Sequence, residues 1–381
     1  MKAVVFHGAG DIRVEEMPEP KLLDPTDAIV RLTASAICGT DLHFVRGTMP
    51  GVSEGRILGH EGVGIVEEVG SQVRNLYPGD RVVIPSTIGC GSCAYCRGGY
   101  YAQCDVANPN GKRAGTAFFG GPDAAGGFDG LQAEYARIPY ANVGPVKLPD
   151  EVSDEQAILL SDIFPTGYFG ADLADIRPGH VVAVFGCGPV GQFTIMSALL
   201  LGAGRVLAVD RVGSRLDIAR RHGAEIVDFS REDPVEAILE LTQGIGPDRV
   251  IDAVGVEAEA PEAEPEDERP PFQPGSAPTR AAEWAVQSIA KNGTIAIVGV
   301  YPNNVVTFPL GQAMMRNLTV AMGNCHHRRY LPALVELVRS GQVEPTSALT
   351  EIEALSHAIE AYEVFDRRRP GWLKVELEPT A

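Results

Sequence analysis

The chain has 381 residues, 45% of them hydrophobic, and a formal net charge of -18. A chain of this length exceeds what one hydrophobic core usually serves, so we expect two domains. The acidic surplus disfavours nucleic acid and anionic membranes as partners, because both reward clusters of Lys and Arg. The N-terminal MKAVVFHGAG lacks a charged leader before an apolar run, and no apolar stretch reaches the ~18 residues of a spanning helix. We therefore expect a soluble, cytoplasmic protein.

The two halves of the chain differ in periodicity. Up to residue 150, short β-rich segments such as AIVRLTA, GVGIVEEVG and DRVVIPS are separated by glycine-rich turns, which predicts a β barrel or sandwich. From Arg177, apolar strands (VVAVFG, RVLAVD, EIVDF, DRVIDAVG, GTIAIVGV) alternate with helical segments, which predicts a doubly wound parallel sheet. After Tyr301 we expect a strand (VVTFPL), a helix (YLPALVELVRSG) and a strand (WLKVELEP) that return to the first domain.

One segment, residues 256–280, interrupts the second half. It combines seven acidic residues with two arginines and many prolines. This composition does not favour a packed core, so we expect an exposed, mobile insertion on the second domain. A solvated loop is the simplest interpretation, and a regulatory or oligomer contact is the alternative.

Four of the seven cysteines lie close together, in the string CGSCAYCRGGYYAQC. Cys90, Cys93, Cys96 and Cys104 have the spacing C-x2-C-x2-C-x7-C, which lets four thiolates surround one ion. The absence of a histidine favours a closed structural zinc in a lobe spanning residues 88–106. An iron–sulfur cluster is the competing interpretation, but its characteristic C-x3-C-P ending is missing.

Two further strings, ICGTDLHF and ILGHEGVG, place Cys38 and His60 among glycines. With the cysteine lobe, the Thr-Gly-Tyr string and a glycine fingerprint, in this order, the chain resembles the zinc-dependent medium-chain dehydrogenases over nearly its whole length. The string SDIFPTGYFG and the tail from MGNCHHRRYLP onward look most similar to the glutathione-independent formaldehyde dehydrogenase branch. The resemblance implies a GroES-like catalytic domain (1–164 and 301–381) and an NAD-binding Rossmann domain (165–300).

The resemblance also implies a second, catalytic zinc bound by Cys38, His60 and Asp162. Many relatives have cysteine at the last position; a helix cap is the alternative role for Asp162. The ion would lower the pKa of an alcohol or polarise a carbonyl. Thr40 would contact the substrate oxygen and pass its proton through the cofactor ribose to His43, for which a merely structural role stays open. Asp41 would orient His60, and Glu61 would do likewise or approach the zinc.

The cofactor is expected at VVAVFGCGPVGQF, a strand followed by G-x-G-x-x-G and a helix. Gly186 makes the turn, Gly188 lets backbone approach the pyrophosphate, and Gly191 packs helix on sheet. Asp210 ends the next strand and would accept from both ribose hydroxyls, which favours NAD, whereas Arg211 keeps NADP open. The other expected cofactor contacts are Pro189, Val190, Thr166, Arg215, Val298, Gly299, Val300 and Lys374.

We predict reversible hydride transfer between NAD and an alcohol or aldehyde. A polyol or amino-alcohol dehydrogenase, of the sorbitol or threonine type, shares these motifs, and a metal-binding but catalytically silent homologue is the alternative from another class. The family resemblance implies a homodimer or homotetramer. The pair His326-His327 is noted as a cleft or interface feature with no assigned catalytic role, and Cys187 and Cys325 as packed or loop residues.

Overall fold

The computed structural model describes residues 1–263, 270–305 and 307–379, which form two compact units. Unit 1 comprises Met1–Pro165, Cys325–Arg367 and the described residues from Lys374 onward, and unit 2 comprises Thr166–Asn324 and Arg368–Leu373. The first part of unit 1 contains, in order, β1 (Lys2–Gly8), β2 (Asp11–Glu16), β3 (Ala28–Ile37), α1 (Gly39–Val45), β4 (Arg56–Ile57), β5 (Gly62–Val69), β6 (Arg81–Ile84), α2 (Ala94–Arg97), β7 (Tyr135–Ile138), β8 (Val146–Lys147) and α3 (Asp154–Ser161).

Helix α4 (Ile163–Leu173) contains the division between the two units. Unit 2 then contains β9 (Val181–Phe185), α5 (Pro189–Leu200), β10 (Arg205–Asp210), α6 (Gly213–Arg221), β11 (Glu225–Asp228), α7 (Pro234–Leu241), β12 (Arg249–Asp252), α8 (Arg280–Ser288), β13 (Thr294–Ile297), α9 (Leu310–Met315) and β14 (Thr319–Met322). The chain returns to unit 1 with α10 (His327–Arg339), β15 (Glu351–Ala354), α11 (Ala358–Asp366) and β16 (Val375–Glu378).

Unit 1 is built around strand β3, which has apolar side chains buried on both faces. The larger sheet has the order β15-β16-β3-β5-β6-β8, with β7 also paired to β3, and a smaller sheet has the order β2-β1-β4. Register shifts between Ile29 and Val30 and between Leu32 and Ala34 let β3 bend, as bulges do. The β-rich first half predicted from the sequence is confirmed.

The register of this sheet gathers several chain segments at one edge. Ile37, the last residue of β3, pairs with Val375 at the start of β16, and Ser35 pairs with Gly62 at the start of β5. Gly62 in turn pairs with Ile84 at the end of β6. The residues just beyond these strand ends, including Cys38, Glu61 and Lys374, therefore lie close together.

Unit 2 is a six-stranded parallel sheet of order β11-β10-β9-β12-β13-β14, and helices connect most of its strands. The strands carry Val, Ile, Leu and Ala with little exposed surface, because helices cover such a sheet on both faces. The order reverses between β9 and β12, the point at which open sheets of this class leave a crevice at the carboxyl ends of the strands. The doubly wound α/β prediction is confirmed.

Residues 301–324 belong to unit 2 rather than to the first domain, where the sequence-based boundary had put them. The strand predicted for VVTFPL is wrong for the described residues of that segment: 307–309 are not in a strand, and Leu310 begins α9. Val306 lies outside the described residues. The last strand of the sheet is instead β14, which pairs in parallel with β13 and so extends unit 2 to Asn324.

The acidic insertion is more ordered at its two ends than its composition predicts. Glu257 and Glu259 are buried, and their carboxylates accept from the backbone of Gly275 (2.8 Å) and the hydroxyl of Ser276 (2.6 Å). Ala258 packs in the core of unit 2. The expectation of a fully exposed loop is therefore wrong for these ends, because local hydrogen bonds satisfy their carboxylates. Residues 264–269 lie outside the described part of the chain.

Candidate active site and nucleotide site

Four buried side chains lie together at the edge of the unit 1 sheet where β3 and β6 end and β5 and β16 begin. The ligand atoms of Cys38, His60, Glu61 and Asp162 all lie within 4.8 Å of one another. Asp162 Oδ2 lies 3.6 Å from Cys38 Sγ and 3.4 Å from His60 Nε2. A thiol, an imidazole nitrogen and a carboxylate oxygen are the donor types of catalytic zinc sites, so this set fits the ion. The three ligands predicted from the sequence are brought together.

Asp41 fixes the orientation of the first two of these groups. Its Oδ2 accepts from the backbone N–H of Cys38 at 2.9 Å, and its Oδ1 lies 3.1 Å from His60 Nδ1. A carboxylate can only accept, so Nδ1 carries a proton, and Nε2 is the nitrogen that faces Cys38 and Asp162. The role predicted for Asp41 agrees with this geometry.

Gly59 has no alternative at its position in the Gly-His-Glu string. Its φ is +89°, and an added Cβ would lie 2.4 Å from Gln132 Cγ. Gln132 itself donates to Ala36 O (3.0 Å) and accepts from the Tyr362 hydroxyl (2.8 Å). The Gln132 side chain, which sequence reasoning missed, therefore packs closely against the residue before His60. No local motif around Gln132 could have identified it.

Lys374 does not lie where the cofactor prediction put it. Its side chain is fully buried, and its ammonium donates to Glu61 Oε2 and, at 2.9 Å, to Ile37 O. The assignment to the pyrophosphate is wrong because Val375 pairs with Ile37, which turns Lys374 toward Glu61. Burial raises the pKa of Glu61 to about 7, although the Lys374 ammonium lowers it. Glu61 Oε1 has no hydrogen-bond partner within the described residues.

Asp162 is held from its other side by two residues not predicted as part of the site. Its Oδ1 accepts from Ser86 Oγ at 3.1 Å and from His327 Nε2 at 2.6 Å. Burial alone would raise the pKa of Asp162, but the hydrogen bonds of His327 and His60 keep that pKa well below its usual range. The side chain of Asp162 thus faces the cluster and is not merely a helix cap. The sequence signal for His327 was the His-His pair.

Thr40 and His43 are three residues apart on α1, so they share one side of this short helix. Thr40 is half-buried. His43 is 4% exposed, and its Nδ1 lies 3.2 Å from Thr48 Oγ1. The structure therefore places both residues on the helix that begins directly after Cys38, and it buries His43 instead of leaving it on the surface. Their catalytic roles stay predictions.

The four cysteines of the lobe form the second cluster, with their sulfur atoms within 4.8 Å of one another. Backbone N–H groups point at the sulfurs: Ser92 and Cys93 donate to Cys90 Sγ, and Cys96 donates to Cys93 Sγ, each at 3.4 Å. Burial raises the pKa of Cys90, but the Ser92 and Cys93 hydrogen bonds outweigh it and lower that pKa to about 6. The site is closed by four equivalent donors, which fits a structural zinc.

In unit 2, the glycine fingerprint forms the turn from β9 into α5. Gly191 tolerates no side chain, because an added Cβ would lie 1.9 Å from Gly186 O. Gly188 caps α5, Pro189 is the first residue of that helix, and an added Cβ on Gly188 would meet nothing closer than Arg215 Nη1 at 3.8 Å. Open space before a helix N-terminus, with a guanidinium beside it, suits a pyrophosphate.

Asp210 ends β10 next to this turn. Its Oδ2 accepts from the Cys187 N–H at 2.7 Å, and its Oδ1 accepts from the N–H groups of Arg211 and Val212 at 2.7 and 2.9 Å. Arg211 donates to Ala263 O at 2.9 Å. The aspartate is thus fixed at the end of its strand, whereas the Arg211 guanidinium reaches toward the insertion.

The remaining predicted cofactor residues lie on other elements of unit 2. Val298 and Gly299 follow β13 and both donate to Asp252 O, at 3.0 and 2.9 Å, and Val300 O accepts from Val256. Val190 is the second residue of α5. Thr166 is half-buried on α4. The structure shows their positions, and their contacts with a cofactor stay predictions.

Comparisons with known proteins agree with a zinc site in unit 1 and a nucleotide site in unit 2. Residues 24–150 match the alcohol dehydrogenase GroES-like domain, and residues 189–263 match the zinc-binding dehydrogenase model. A zinc-type alcohol dehydrogenase-like protein, AdhB of Bacillus subtilis (strain 168), is 40% identical over 383 residues, which cover 100% of both chains. The chain belongs to the zinc-dependent medium-chain dehydrogenases. The alcohol dehydrogenase TADH from Thermus sp. ATN1 has 36% sequence identity, a TM-score of 0.85 and 99% coverage of both chains.

This dehydrogenase is therefore a zinc-dependent oxidoreductase that acts on alcohols with NAD(P). Its likeness to the formaldehyde branch is partial. The glutathione-independent formaldehyde dehydrogenase of Pseudomonas aeruginosa (strain LESB58) is 40% identical over 270 residues, which cover 68% of this chain and 66% of that protein. None of the helices in the described residues has the length and apolarity to cross a membrane.

Proposed function

We propose that the enzyme oxidises a small alcohol, or reduces the corresponding carbonyl, at the cluster of Cys38, His60 and Asp162, with NAD as the hydride carrier. The single observation that carries the proposal is the convergence of three different zinc donors within 4.8 Å, all of them buried. Burial matters because an electrostatic interaction that stabilises a developing charge is stronger in a low-dielectric site than in water.

A zinc ion held by these three residues supplies a Lewis acid that makes an alcohol proton easier to remove. The chain's own residues do the rest. Asp41 keeps His60 in the tautomer whose Nε2 can bind, and Asp162 contributes a negative charge through Oδ2. In the proposed relay, the Thr40 hydroxyl contacts the substrate oxygen and would pass the proton, by way of the ribose of a bound cofactor, to His43, which exchanges it with water. Lys374 compensates the charge of Glu61, so that the cluster does not hold an unpaired second carboxylate.

The preference for NAD rests on Asp210. A carboxylate at the end of β10 can accept from the two ribose hydroxyls and repels a 2'-phosphate. Arg211 is the residue that could have favoured NADP, and its guanidinium donates to Ala263 O. This contact supports NAD, because it directs the guanidinium to the segment around residue 263.

The proposed oligomer is a homodimer or homotetramer assembled through unit 2. Strand β14 is the last strand of the parallel sheet and pairs only with β13 among the residues that the structure describes. Met322 on this strand is 63% exposed, and Met314 and Met315 on α9 are 79% and 86% exposed. An open strand edge beside apolar side chains favours association with a second copy. A cytoplasmic location stays a prediction from the sequence.

The substrate is tested by following NADH absorbance with a panel of primary and secondary alcohols, polyols, amino alcohols and aldehydes, including formaldehyde without glutathione. We expect turnover with simple alcohols or aldehydes, and faster turnover with NAD than with NADP. A clear preference for polyols or amino alcohols would favour the alternative enzyme class. No turnover with any member, in protein that holds two zinc ions per chain, would contradict the proposed function.

A further inference from the structure

Asp162 divides its two carboxylate oxygens between different partners. Oδ2 faces the metal-binding cluster, at 3.6 Å from Cys38 Sγ and 3.4 Å from His60 Nε2. Oδ1 faces away from it and accepts from Ser86 Oγ at 3.1 Å and His327 Nε2 at 2.6 Å. The two donors therefore set which oxygen Asp162 presents to the cluster.

His327 is itself held in one orientation. It is the first residue of α10 and is 3% exposed. Since Asp162 can only accept, Nε2 carries the proton of this hydrogen bond. The other ring nitrogen, Nδ1, lies 3.1 Å from Thr87 Oγ1, and a hydroxyl satisfies it in either direction. The imidazole is thus fixed at both nitrogens.

The backbone just before Asp162 is fixed independently of His327. Ser161 Oγ accepts from the Gly62 N–H at 3.0 Å and donates to Ile84 O at 2.5 Å. The Ser161 carbonyl accepts from the Ser86 N–H at 3.2 Å. Main-chain position is therefore set by β5 and β6, and rotation of the Asp162 carboxylate is left to the side chains that bind its oxygens.

We propose that His327, together with Ser86, positions Asp162 as a zinc ligand that binds through one oxygen only. A carboxylate bound through both oxygens would fill the coordination position that the substrate needs. Hydrogen bonds to Oδ1 oppose that second contact and keep Oδ2 aimed at the cluster. His327 is a positioning residue, because it acts through Asp162. This inference rests on the proposed zinc site of Cys38, His60 and Asp162.

The test measures how fast each zinc leaves the purified two-zinc enzyme in the presence of a coloured chelator. His327→Val removes the hydrogen bond, and His327→Gln keeps an amide donor at a similar distance. The matched control is His326→Gln, on the neighbouring residue, whose ring contacts Tyr100 and Ala102 of the cysteine lobe. Substitution beside a ligand typically changes metal affinity by 10- to 100-fold, so we expect His327→Val to release one zinc roughly 10- to 100-fold faster.

The second zinc, in the cysteine lobe, should leave at the wild-type rate in the His327 and Ser86 variants and so reports that unit 1 is folded. For the zinc at Cys38, His60 and Asp162, we expect His327→Gln to recover most of the wild-type release rate and His326→Gln to match the wild-type rate. Cobalt substituted into the faster site of His327→Val should show a changed visible absorption band, as expected for altered coordination. Ser86→Ala should give a smaller effect in the same direction.

Two outcomes would overturn the inference, and they are distinguishable. If wild-type protein holds two zinc ions and His327→Val releases both at wild-type rates with an unchanged cobalt spectrum, Asp162 does not depend on His327. If wild-type protein holds one zinc, in the cysteine lobe, the proposed function fails and the inference fails with it.

Discussion

Lys374 and Glu61 form an ion pair with no solvent-exposed side-chain surface on either residue, next to the candidate zinc ligands. Removing one partner of such a pair leaves an uncompensated buried charge, which typically costs about 3–5 kcal/mol. We expect Lys374→Met to lower the free energy of unfolding by about this amount in urea denaturation. The double variant Lys374→Met with Glu61→Gln should regain much of the loss.

The matched control for this pair is Lys147→Met, because Lys147 pairs with Asp80 at 2.7 Å while its own side chain is 45% exposed. An exposed pair is worth about 0–1 kcal/mol, so this change should be nearly silent. If both lysine variants lose the same free energy of unfolding, the buried pair of Lys374 and Glu61 stabilises the fold no more than an exposed pair does.

The coenzyme preference depends on Asp210 at the end of β10. Asp210→Asn removes the charge that repels a 2'-phosphate and weakens acceptance from the ribose. Hydrogen bonds to a charged group are worth about 1.5–3 kcal/mol, so the ratio of kcat/KM for NAD to that for NADP should fall by about tenfold or more. The control is Asp228→Asn, at the end of the neighbouring strand β11. An unchanged ratio in Asp210→Asn would contradict the assignment.

Glu376 should make the stability of the enzyme depend on pH. It is 3% exposed, and burial, together with Glu155, Glu378 and Asp154, raises its pKa from 4.5 to about 8. Because the folded-state pKa lies above the unfolded one, the contribution is fully present below about pH 4.5 and is lost as pH rises toward about 8.

We therefore expect Glu376→Gln to make the stability of the enzyme depend less on pH across this range, as measured by thermal and urea unfolding at several pH values. Between about pH 5 and 8, the free energy of unfolding should fall by on the order of 2 kcal/mol less in the variant than in wild type. Glu68→Gln, at an exposed position on β5, is the control. If stability depends on pH in the same way in Glu376→Gln and in wild type, Glu376 is not the cause of that dependence.

The proposed assembly through unit 2 predicts that a charge on β14 separates the subunits. Met322→Lys places a cation on an exposed apolar edge, and charged residues on a strand edge oppose pairing. Light scattering coupled to size exclusion should show a lower mass for this variant than for wild type. Leu23→Lys, at a 77% exposed position of unit 1, should leave the mass unchanged. The proposal fails if the two variants behave alike.

Local patterns were sufficient to predict the fold class and the cysteine cluster: apolar strands alternating with helices predicted the parallel sheet, and the spacing of the lobe cysteines predicted four thiolates around one ion. The cluster of Cys38, His60 and Asp162 was predicted from the resemblance to the dehydrogenase family, because neither short string is specific by itself. VVTFPL was misread because an apolar run with a proline does not distinguish a strand from the approach to a helix; Pro309 precedes α9 instead. The ends of the acidic insertion were misread because composition does not show that Glu259 will meet Ser276.

Long-range partners were beyond the reach of such patterns. His327 is 165 residues from Asp162, and Lys374 is 313 residues from Glu61. Their contacts depend on which strands and helices pack together, in particular on the register of β16 against β3. From the sequence, Lys374 could equally be a phosphate-binding residue or a buried counter-ion. Only the pairing of β16 with β3 distinguishes the two roles.

We expect this dehydrogenase to hold two zinc ions per chain, one of them at Cys38, His60 and Asp162. The most direct measurement is the zinc content per chain of wild type and Asp162→Ala, with NAD binding and turnover followed in the same samples. We predict two zinc ions in wild type, and in the variant one zinc, retained NAD binding and loss of activity. One zinc in wild type, or two zinc ions and normal turnover in Asp162→Ala, would contradict it.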